Sequence, residues 1–421
     1  MKRNLVIFAL SLSCLFSISA QLHAAGKYFR VEQRQGVWWL IAPDGQPAIS
    51  AGVNNISYRG DVIQGTTRHP YFENISKIYP SKEAWVQAEL KRLNLWGFNT
   101  IGSWSDPALW GRTMPYTVIL DIAARSGANW QQGIPVDVYS PRFKSMAGKI
   151  ANEECAPRAK DPELIGYFSD NELRWGPDWR KQNMLALYLS LPADSPGRQH
   201  AVDFLEKRYS SKIGKLNQSW GVHAKNFADV PAEAATEAFR ADNSEFLGMV
   251  AQRYFDVCAQ AIHAADPNHL YLGAKFADAP PDPVLRASRS VNVVSVDIYR
   301  FDPRPVVEHI YKLAQRPVLV AEFAFRAENS GLPNTRGAGP KVPDQAARAR
   351  AYTNYVNWLE SLPEAVGYHW FEWCDEPKEG RFDGENSNYG LVNIHDQPYT
   401  EFVKAATVAN RAAIAIHRQA R

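Results

Sequence analysis

Short apolar runs alternate with amphipathic segments along most of the chain. Eight runs are rich in β-branched or aromatic residues, which is typical of buried strands in a parallel sheet. They cover residues 49–54, 98–104, 116–122, 164–171, 270–276, 291–299, 318–323 and 366–373. Helical periodicity is clearest over residues 82–95, 243–265, 305–314 and 345–362. Eight strand–helix units in 421 residues predict an α/β protein with a (β/α)8 TIM barrel.

One connection between predicted strands is much longer than the others. Residues 173–267 follow the fourth strand and predict a helical insertion that forms a wall of the cleft. No Gly/Ser-rich or Pro-rich linker divides the chain, so residues 25–421 are predicted to form one domain. Residues 400–418 predict a closing helix.

The N-terminal segment has the pattern of a secretory signal. Lys2 and Arg3 precede an apolar stretch that runs through Ala20, and cleavage after Ala20 or Ala24 would follow a small residue. These features predict a signal peptide over residues 1–24 and an exported protein, periplasmic or extracellular.

Charge and cysteine content narrow the possible partners. The formal net charge is +3, and +1 once the two basic residues of the signal are removed, so no nucleic-acid or membrane partner is predicted. Cys14 is a poor lipidation site because apolar residues continue beyond it. Cys155, Cys258 and Cys374 remain in the mature chain and allow at most one disulfide. The oligomeric state is left open.

Two of the predicted strands end in a glutamate. Asn171 and Glu172 close strand four, and Glu322 closes strand seven. Because the carboxyl ends of barrel strands meet at one mouth, the two carboxylates are expected to face each other. Glycoside cleavage needs one protonated and one ionised carboxyl group, about 5 to 5.5 Å apart for retention and about 8 Å apart for inversion. An ordinary loop ion pair remains the alternative for Glu172 alone.

Other side chains fall at the remaining strand ends and are predicted to reach the same mouth. They are Trp104, Tyr299, His369, Trp370 and Glu372. Trp104 and Trp370 could stack on apolar sugar faces, although many of the 13 tryptophans are expected simply to fill the core. Tyr299 could hydrogen-bond the strand-seven glutamate and keep it ionised, or it could be a core residue.

Motifs of other chemistries are missing from the sequence. The ten histidines include no His-Glu-x-x-His pair, and there is no Gly-x-Ser-x-Gly elbow, Walker loop or Gly-x-Gly-x-x-Gly turn. A metal site from Asp297, Glu322 and His369 is conceivable, but His369 precedes Trp370 in an alternating strand and is expected to point away, as a core histidine. Neither a metal ion nor a cofactor is predicted.

Taken together, these motifs resemble a large clan of retaining glycoside hydrolases with (β/α)8 barrels. The resemblance rests on Asn171-Glu172, on Glu322 and on the aromatic end of strand eight. Within that clan, residues 204–221 resemble family 42 β-galactosidases, and residues 368–390 resemble family 50 β-agarases. The arginine that many clan members carry on strand two has no clear counterpart.

The resemblance implies a role for each residue of the motifs. Glu172 would be the acid/base, Glu322 the nucleophile, and Asn171 the ligand of the hydroxyl next to the anomeric carbon. Tyr299 and Trp370 would support the first sugar subsite. A rim loop touching sugar would contain Asp383, Glu385 and Asn386.

The sequence therefore predicts an exported retaining β-glycosidase that acts on a galactan-type polysaccharide, or its oligosaccharides, without a cofactor. Two alternatives stay open. One is a transglycosylase on the same barrel, since the covalent intermediate can react with either water or a sugar. The other is a secreted carbohydrate-binding protein without activity.

Overall fold

The computed structural model describes residues 26–420 apart from 130, 131, 133 and 177–182. The predicted signal peptide, residues 1–24, lies outside the described residues. The described residues form 14 strands and 12 α-helices.

The strands mostly coincide with the apolar runs of the sequence. In chain order they are β1 Arg30–Arg34, β2 Val37–Ile41, β3 Pro47–Ala48, β4 Ser50–Val53, β5 Thr100–Ile101, β6 Tyr116–Ile119, β7 Leu164–Phe168, β8 Leu270–Tyr271, β9 Phe276–Ala277, β10 Val294–Asp297, β11 Val318–Phe323, β12 Arg326–Ala327, β13 Lys341–Val342 and β14 Ala365–Trp370.

The helices occupy the connections between the strands. They are α1 Pro70–Ile75, α2 Lys82–Leu95, α3 Ile122–Arg125, α4 Pro141–Glu154, α5 Met184–Leu189, α6 Pro196–Arg208, α7 Ile213–Trp220, α8 Glu237–Ala265, α9 Asp282–Ala287, α10 Arg304–Ala314, α11 Gln345–Glu360 and α12 Thr400–His417. The predicted insertion holds α5 to α8, and the predicted closing helix is α12.

Nine strands form one parallel sheet in the order β8-β7-β6-β5-β4-β14-β11-β10-β9. All eight predicted strand segments contribute, but the fifth is divided into β8 and β9 by residues 272–275. Backbone hydrogen bonds continue along this link, since Ser169 donates to Gly273 O at 2.9 Å and Lys275 donates to Asp170 O at 3.0 Å. The predicted α/β class with a parallel sheet is confirmed.

The sheet is covered on both faces. Helices pack on one face. Because both faces are buried, the strands are apolar throughout. The other face carries a smaller cluster, formed by Phe29, Leu40, Ile165, Phe168, Leu270, Leu272, Val293, Leu319, Ala321 and Val366. Leu319 and Ala321 belong to this cluster, whereas Val318 and Val320 pack with the helices, because alternate side chains of a strand point to opposite faces. Phe29, just before β1, and Leu40, in β2, bring the N-terminal hairpin into this smaller cluster.

Two findings bear on the cysteines and on the membrane. Cys155, Cys258 and Cys374 are buried free thiols, so none of the three is in a disulfide.

Within the described part of the chain, no helix combines the length and apolar character needed to cross a bilayer.

Candidate active site

A cavity of about 410 Å³ opens where the parallel strands end. Its lining comes mainly from residues at or just beyond the carboxyl ends of the strands, as expected for an α/β sheet of this kind. The lining residues are Asn55, Asp61, Trp104, Asp121, Ala124, Ala128, Asp170, Asn171, Glu172, Leu173, Tyr299, Glu322, Ala338, Phe371, Arg381, Phe382, Asp383 and Glu385.

The first four strands of this sheet in chain order, β4 to β7, are each followed by a residue with left-handed backbone conformation that lines the cavity. Asn55 follows β4 with a φ of 53°, Trp104 follows β5 with 58°, Asp121 follows β6 with 53°, and Glu172 follows β7 with 46°. This conformation costs energy in residues other than glycine, and such strain is concentrated at functional sites. It turns each of these residues out of its strand direction at the edge of the cavity.

Three carboxyl groups meet at the floor of the cavity. One oxygen each of Glu172, Asp297 and Glu322 lies within 4.8 Å of the other two. Glu172 is half-buried, whereas Asp297 and Glu322 are buried. His369 is not part of this group, because its Nε2 lies 2.8 Å from Ser50 Oγ inside the sheet.

The Glu322 carboxylate is held by two neighbours. The Tyr299 hydroxyl donates a hydrogen bond to Glu322 Oε2 at 2.5 Å, which is the interaction expected from the sequence. The Lys275 ammonium forms an ion pair with Glu322 Oε1. Lys275 is fully buried, and its Nζ lies 4.0 Å from the centre of the Trp104 ring. A positive charge therefore already stands among the three carboxyl groups.

Asp297 is the least satisfied of these acids. Neither of its oxygens has a hydrogen-bond partner among the described residues, and Lys275 Nζ is 3.8 Å away. Burial, and then the nearby Glu322 carboxylate, raises the pKa of Asp297 well above its ordinary value. Asp297 is therefore a buried acid that favours its protonated form while Glu322 is ionised.

The end of β7 is fixed from both sides. Glu172 N donates to Lys275 O at 2.8 Å, and Asp170 accepts hydrogen bonds from Ala123 N at 2.9 Å and from the Tyr254 hydroxyl at 2.6 Å. Burial raises the pKa of Asp170 to about 7, although these hydrogen bonds favour the ionised form. Through Tyr254, the long helix α8 thus anchors the strand end that carries Glu172.

Acidic side chains crowd around one arginine at the rim. Arg381 pairs with Glu376 at 3.1 Å, Asp383 at 3.0 Å and Glu385 at 2.9 Å, and Asp61 and Glu372 also lie close enough to act on its charge. For Asp61, Glu372, Glu376 and Glu385, burial is the largest influence and raises the pKa. One guanidinium thus holds the rim loop together.

Replacing Arg381 by Met is expected to destabilise the protein by about 3 to 5 kcal/mol, because buried acids would lose their cation. A buried acid whose pKa is raised in the folded state makes the protein less stable as the pH rises above its ordinary pKa, which is 4.5 for glutamate. The deficit of the variant should therefore be larger at about pH 8 than at about pH 5. Urea unfolding at both pH values measures it.

Arg300 provides the matched control, since it is exposed and, in the part of the chain that the structure describes, pairs with Asp278 alone. Arg300→Met should cost less than about 1 kcal/mol at either pH. A deficit for Arg381→Met that is equally small, or that shrinks as the pH rises, would contradict a rim held together by this guanidinium.

Seven of the predicted site residues line the cavity, namely Trp104, Asn171, Glu172, Tyr299, Glu322 and, on the rim loop, Asp383 and Glu385. Trp370 does not, so its predicted place in a sugar subsite is wrong. Its ring is fully buried against Phe323, Tyr352 and Phe402, and its Nε1 donates to Tyr389 O at 2.9 Å. The side chain points outward to α11 and α12, because successive side chains of a strand alternate between the two faces of the sheet.

His369, Glu372 and Asn386 also lie outside the lining. His369 and Glu372 are fully buried, which corrects their predicted contact with substrate and confirms the alternative that His369 is a core histidine. The contact of Asn386 with substrate stays a prediction. Burial lowers the pKa of His369 to about 3, as befits a neutral core histidine. Glu372 is fully buried and accepts a hydrogen bond from Asn55 Nδ2, so it stands behind a lining residue. Asn386 is engaged with Thr335, whose backbone N donates to Asn386 Oδ1 at 3.0 Å.

The structure adds residues that sequence reasoning missed. Lys275 lies inside an apolar run without any sign of a functional role, Phe371 replaces Trp370 at the cavity, and Phe382 stands exposed at the rim. From the sequence, Asp297 is considered only as a metal ligand, not as a neighbour of the two glutamates.

Of the described residues of the predicted insertion, Leu173 lines the cavity. An adjoining pocket shares Ala128 and Leu173 with it and is also lined by the insertion residues Arg174, Trp175, Met184, Val250 and Tyr254. The insertion as a wall of the cleft therefore stays a prediction, and residues 121–128 and 371–385 supply further walls.

Comparison with known proteins gives consistent relatives. The chain is 31% identical over 416 residues to β-agarase B of Vibrio sp. (strain JT0107), covering 92% of this chain and 43% of that protein. β-Agarase A of the same strain is 32% identical over 387 residues, covering 84% of this chain and 38% of that protein. The chain thus spans less than half the length of these curated relatives. No protein-family model matches the chain.

Solved structures agree with these relatives. The crystal structure of an agarase, AgWH50C, has a TM-score of 0.83 and 26% identity, covering 93% of this chain and 66% of that chain. An exo-β-agarase has a TM-score of 0.84 and 25% identity, covering 94% and 66%. The resemblance to family 42 β-galactosidases stays a prediction. The resemblance to family 50 is confirmed, and the chain belongs to glycoside hydrolase family 50, together with these β-agarases.

Proposed function

We propose that the chain is an exported, retaining β-glycosidase that cleaves an agar-type β-linked galactan or its oligosaccharides. The observation that carries the proposal is the pair of cavity carboxylates, since an oxygen of Glu172 lies within 4.8 Å of one of Glu322. Retaining enzymes need a short separation, whereas inverting enzymes leave about 6.5 to 9.5 Å for a water molecule. The two curated relatives are both β-agarases, which favours the galactan.

In the first step, a Glu322 oxygen attacks the anomeric carbon as the glycosidic C–O bond breaks. Glu172 gives its proton to the departing oxygen. Lys275 and Tyr299 contact the two oxygens of the nucleophile and hold it in position, and Asn171 has a buried side-chain Oδ1 without a hydrogen-bond partner among the described residues. A buried oxygen of this kind is suited to accept from the sugar hydroxyl next to the reacting carbon.

In the second step, Glu172 is a carboxylate and takes a proton from water. The water oxygen attacks the anomeric carbon, the ester bond to Glu322 breaks, and both glutamates return to their starting states. Two inversions give net retention.

The proposal extends to the fold and to the location. The ends of the strand order, β8 and β9, are two pieces of one chain segment, which supports closure of the sheet into the eight-unit barrel predicted from sequence. Residues 1–24 would direct export to the periplasm or beyond the cell. The remainder would act as a single domain on a carbohydrate, without a metal ion or cofactor.

Aromatic side chains at the cavity are suited to hold the sugar. Trp104 and Phe382 line it and are 37% and 58% exposed, respectively, so their ring faces are accessible to a ligand. Phe382→Ala is expected to raise KM by about 3- to 10-fold, from the loss of ~0.5 to 1.5 kcal/mol of stacking, with kcat unchanged. Steady-state kinetics on agarose oligosaccharides measure both constants.

Phe301 is the matched control, because it is 50% exposed but does not line the cavity. Phe301→Ala should leave KM at the wild-type value. An unchanged KM in Phe382→Ala, or equal effects in both variants, would remove Phe382 from the substrate site.

The proposal is tested by reducing-sugar release from agarose, galactan, mannan, glucan and xylan oligosaccharides, with wild type and Glu322→Gln in parallel. Release from the agarose or galactan substrates by wild type alone is the expected result. Binding without release would favour a carbohydrate-binding protein. Products longer than the substrate would favour a transglycosylase.

A further inference from the structure

Among the residues that the structure describes, Lys275 is the only cation that pairs with Glu322 or Asp297. It reaches them from the link between β8 and β9, pairs with Glu322, and has Asp297 at 3.8 Å. It is fully buried, with the Trp104 ring 4.0 Å away on another side. A lysine so enclosed depends on its anions, since water cannot solvate its charge.

The proposed reaction removes one of those anions. When Glu322 becomes an ester, its negative charge disappears while the ammonium of Lys275 stays in place. A buried cation that loses its partner is strongly destabilised. Asp297 lies within reach of Lys275, and neither of its oxygens has another hydrogen-bond partner in the described part of the chain.

We infer that Lys275 is a positioning residue that pairs with the Glu322 carboxylate and aims it in the free enzyme, and that Asp297 takes over as the anion of Lys275 in the covalent intermediate. This inference rests on the proposed function for its place in the reaction. The second predicted strand, residues 98–104, offers no clear arginine near the nucleophile. Lys275, from the fifth predicted strand, supplies a positive charge there instead.

The exchange of partners balances in charge and in protons. While Glu322 is ionised, Asp297 carries a proton, in keeping with its burial beside a carboxylate. As the ester forms, Asp297 releases that proton to water and becomes the carboxylate paired with Lys275. Hydrolysis of the ester restores the Glu322 carboxylate, and Asp297 takes a proton back from water. Lys275 stays protonated throughout.

The charged groups around Glu322 determine the direction in which its titration is expected to shift. Facing it are Lys275, Asp297, Tyr299 and Glu172, and Glu385 also interacts with it from the rim loop. Lys275 is the only cation among these described neighbours, and the facing carboxyl groups repel a negative charge on Glu322. Loss of the lysine must therefore shift the titration of Glu322 to higher pH.

The test is a 13C NMR titration of side-chain carboxyl groups, which needs no turnover. The Glu322 and Asp297 signals are assigned by their disappearance in Glu322→Gln and Asp297→Asn. In Lys275→Met, we expect Glu322 to titrate at least about one pH unit higher than in wild type, whereas in Lys275→Arg, which keeps the positive charge, it should titrate close to wild type. Lys149→Met, at an exposed lysine, should leave it unchanged.

Glu322→Gln supplies the second half of the test, because a neutral glutamine stands in for the ester. Asp297 should then titrate at least about one pH unit lower than in wild type, as it becomes the anion of Lys275. An unmoved Asp297 overturns its role as alternate anion, and an unmoved Glu322 in Lys275→Met overturns the positioning role. Both shifts together with no glycoside turnover would sink the proposed function while leaving the lysine exchange intact.

Discussion

Glu322→Gln is expected to abolish turnover while the protein still folds. The amide cannot attack the anomeric carbon, so no glycosyl-enzyme forms. We expect kcat to fall by at least about four orders of magnitude, equivalent to ~5 kcal/mol of barrier. Folding should survive because Lys275 keeps Asp297 as an anion nearby. Initial rates on agarose oligosaccharides, with thermal unfolding of the same samples, measure both effects.

Glu328→Gln is the matched control for this substitution. Glu328 lies shortly after β11 but is exposed and outside the cavity, so its amide should support wild-type rates. A Glu322→Gln enzyme with substantial activity would contradict the nucleophile assignment. An unfolded variant would instead show that the three-acid cluster cannot lose this carboxylate, and Glu322→Asp would then serve as the test, since it keeps the charge and withdraws the attacking oxygen.

The second large effect is expected from Glu172→Ala, and its size should depend on the leaving group. A sugar leaving group needs a proton, so cleavage of oligosaccharides should slow by about 10³-fold or more. An aryl group that leaves readily as an anion does not need that proton, so formation of the intermediate from such a glycoside should be slowed far less. Kinetics on both substrate types, with wild type as reference, measure the difference.

Azide adds a control that an unrelated defect would not pass. In Glu172→Ala no base remains to activate water, so the intermediate accumulates. A small anion needs no base, can enter the space left by the carboxylate, and should release a β-glycosyl azide. Equal losses on both substrate types, or no acceleration by azide, would count against the acid/base role of Glu172.

Features set by local composition were predictable from the sequence. The apolar run at 318–323 coincides with β11, and the periodic run at 82–95 coincides with α2, which begins after the capping residue Ser81. Parallel strands place their carboxyl ends on one edge, which is why Glu172, Glu322 and Tyr299 could be expected to meet. That expectation required only the strand ends, not the partners of each side chain.

Features that depend on long-range partners were not predictable. Lys275 stands in an apolar segment that reads as one strand, and its role exists only because the strand is interrupted between β8 and β9 beside Glu322. Trp370 was placed at the cavity because it ends a strand, yet the alternation of side chains turns it toward α11 and α12. Which side a terminal strand residue faces is set by where pairing stops, and composition does not encode that directly.

The stereochemistry of the first product tests the paired glutamates most directly. Proton NMR of an agarose oligosaccharide digest, recorded before mutarotation, distinguishes a β from an α anomer at the newly formed reducing end. Attack by Glu322 followed by water gives the β anomer. An α anomer would mean that water attacks in a single displacement, which would contradict Glu322 as a nucleophile and Glu172 as an acid that later becomes a base.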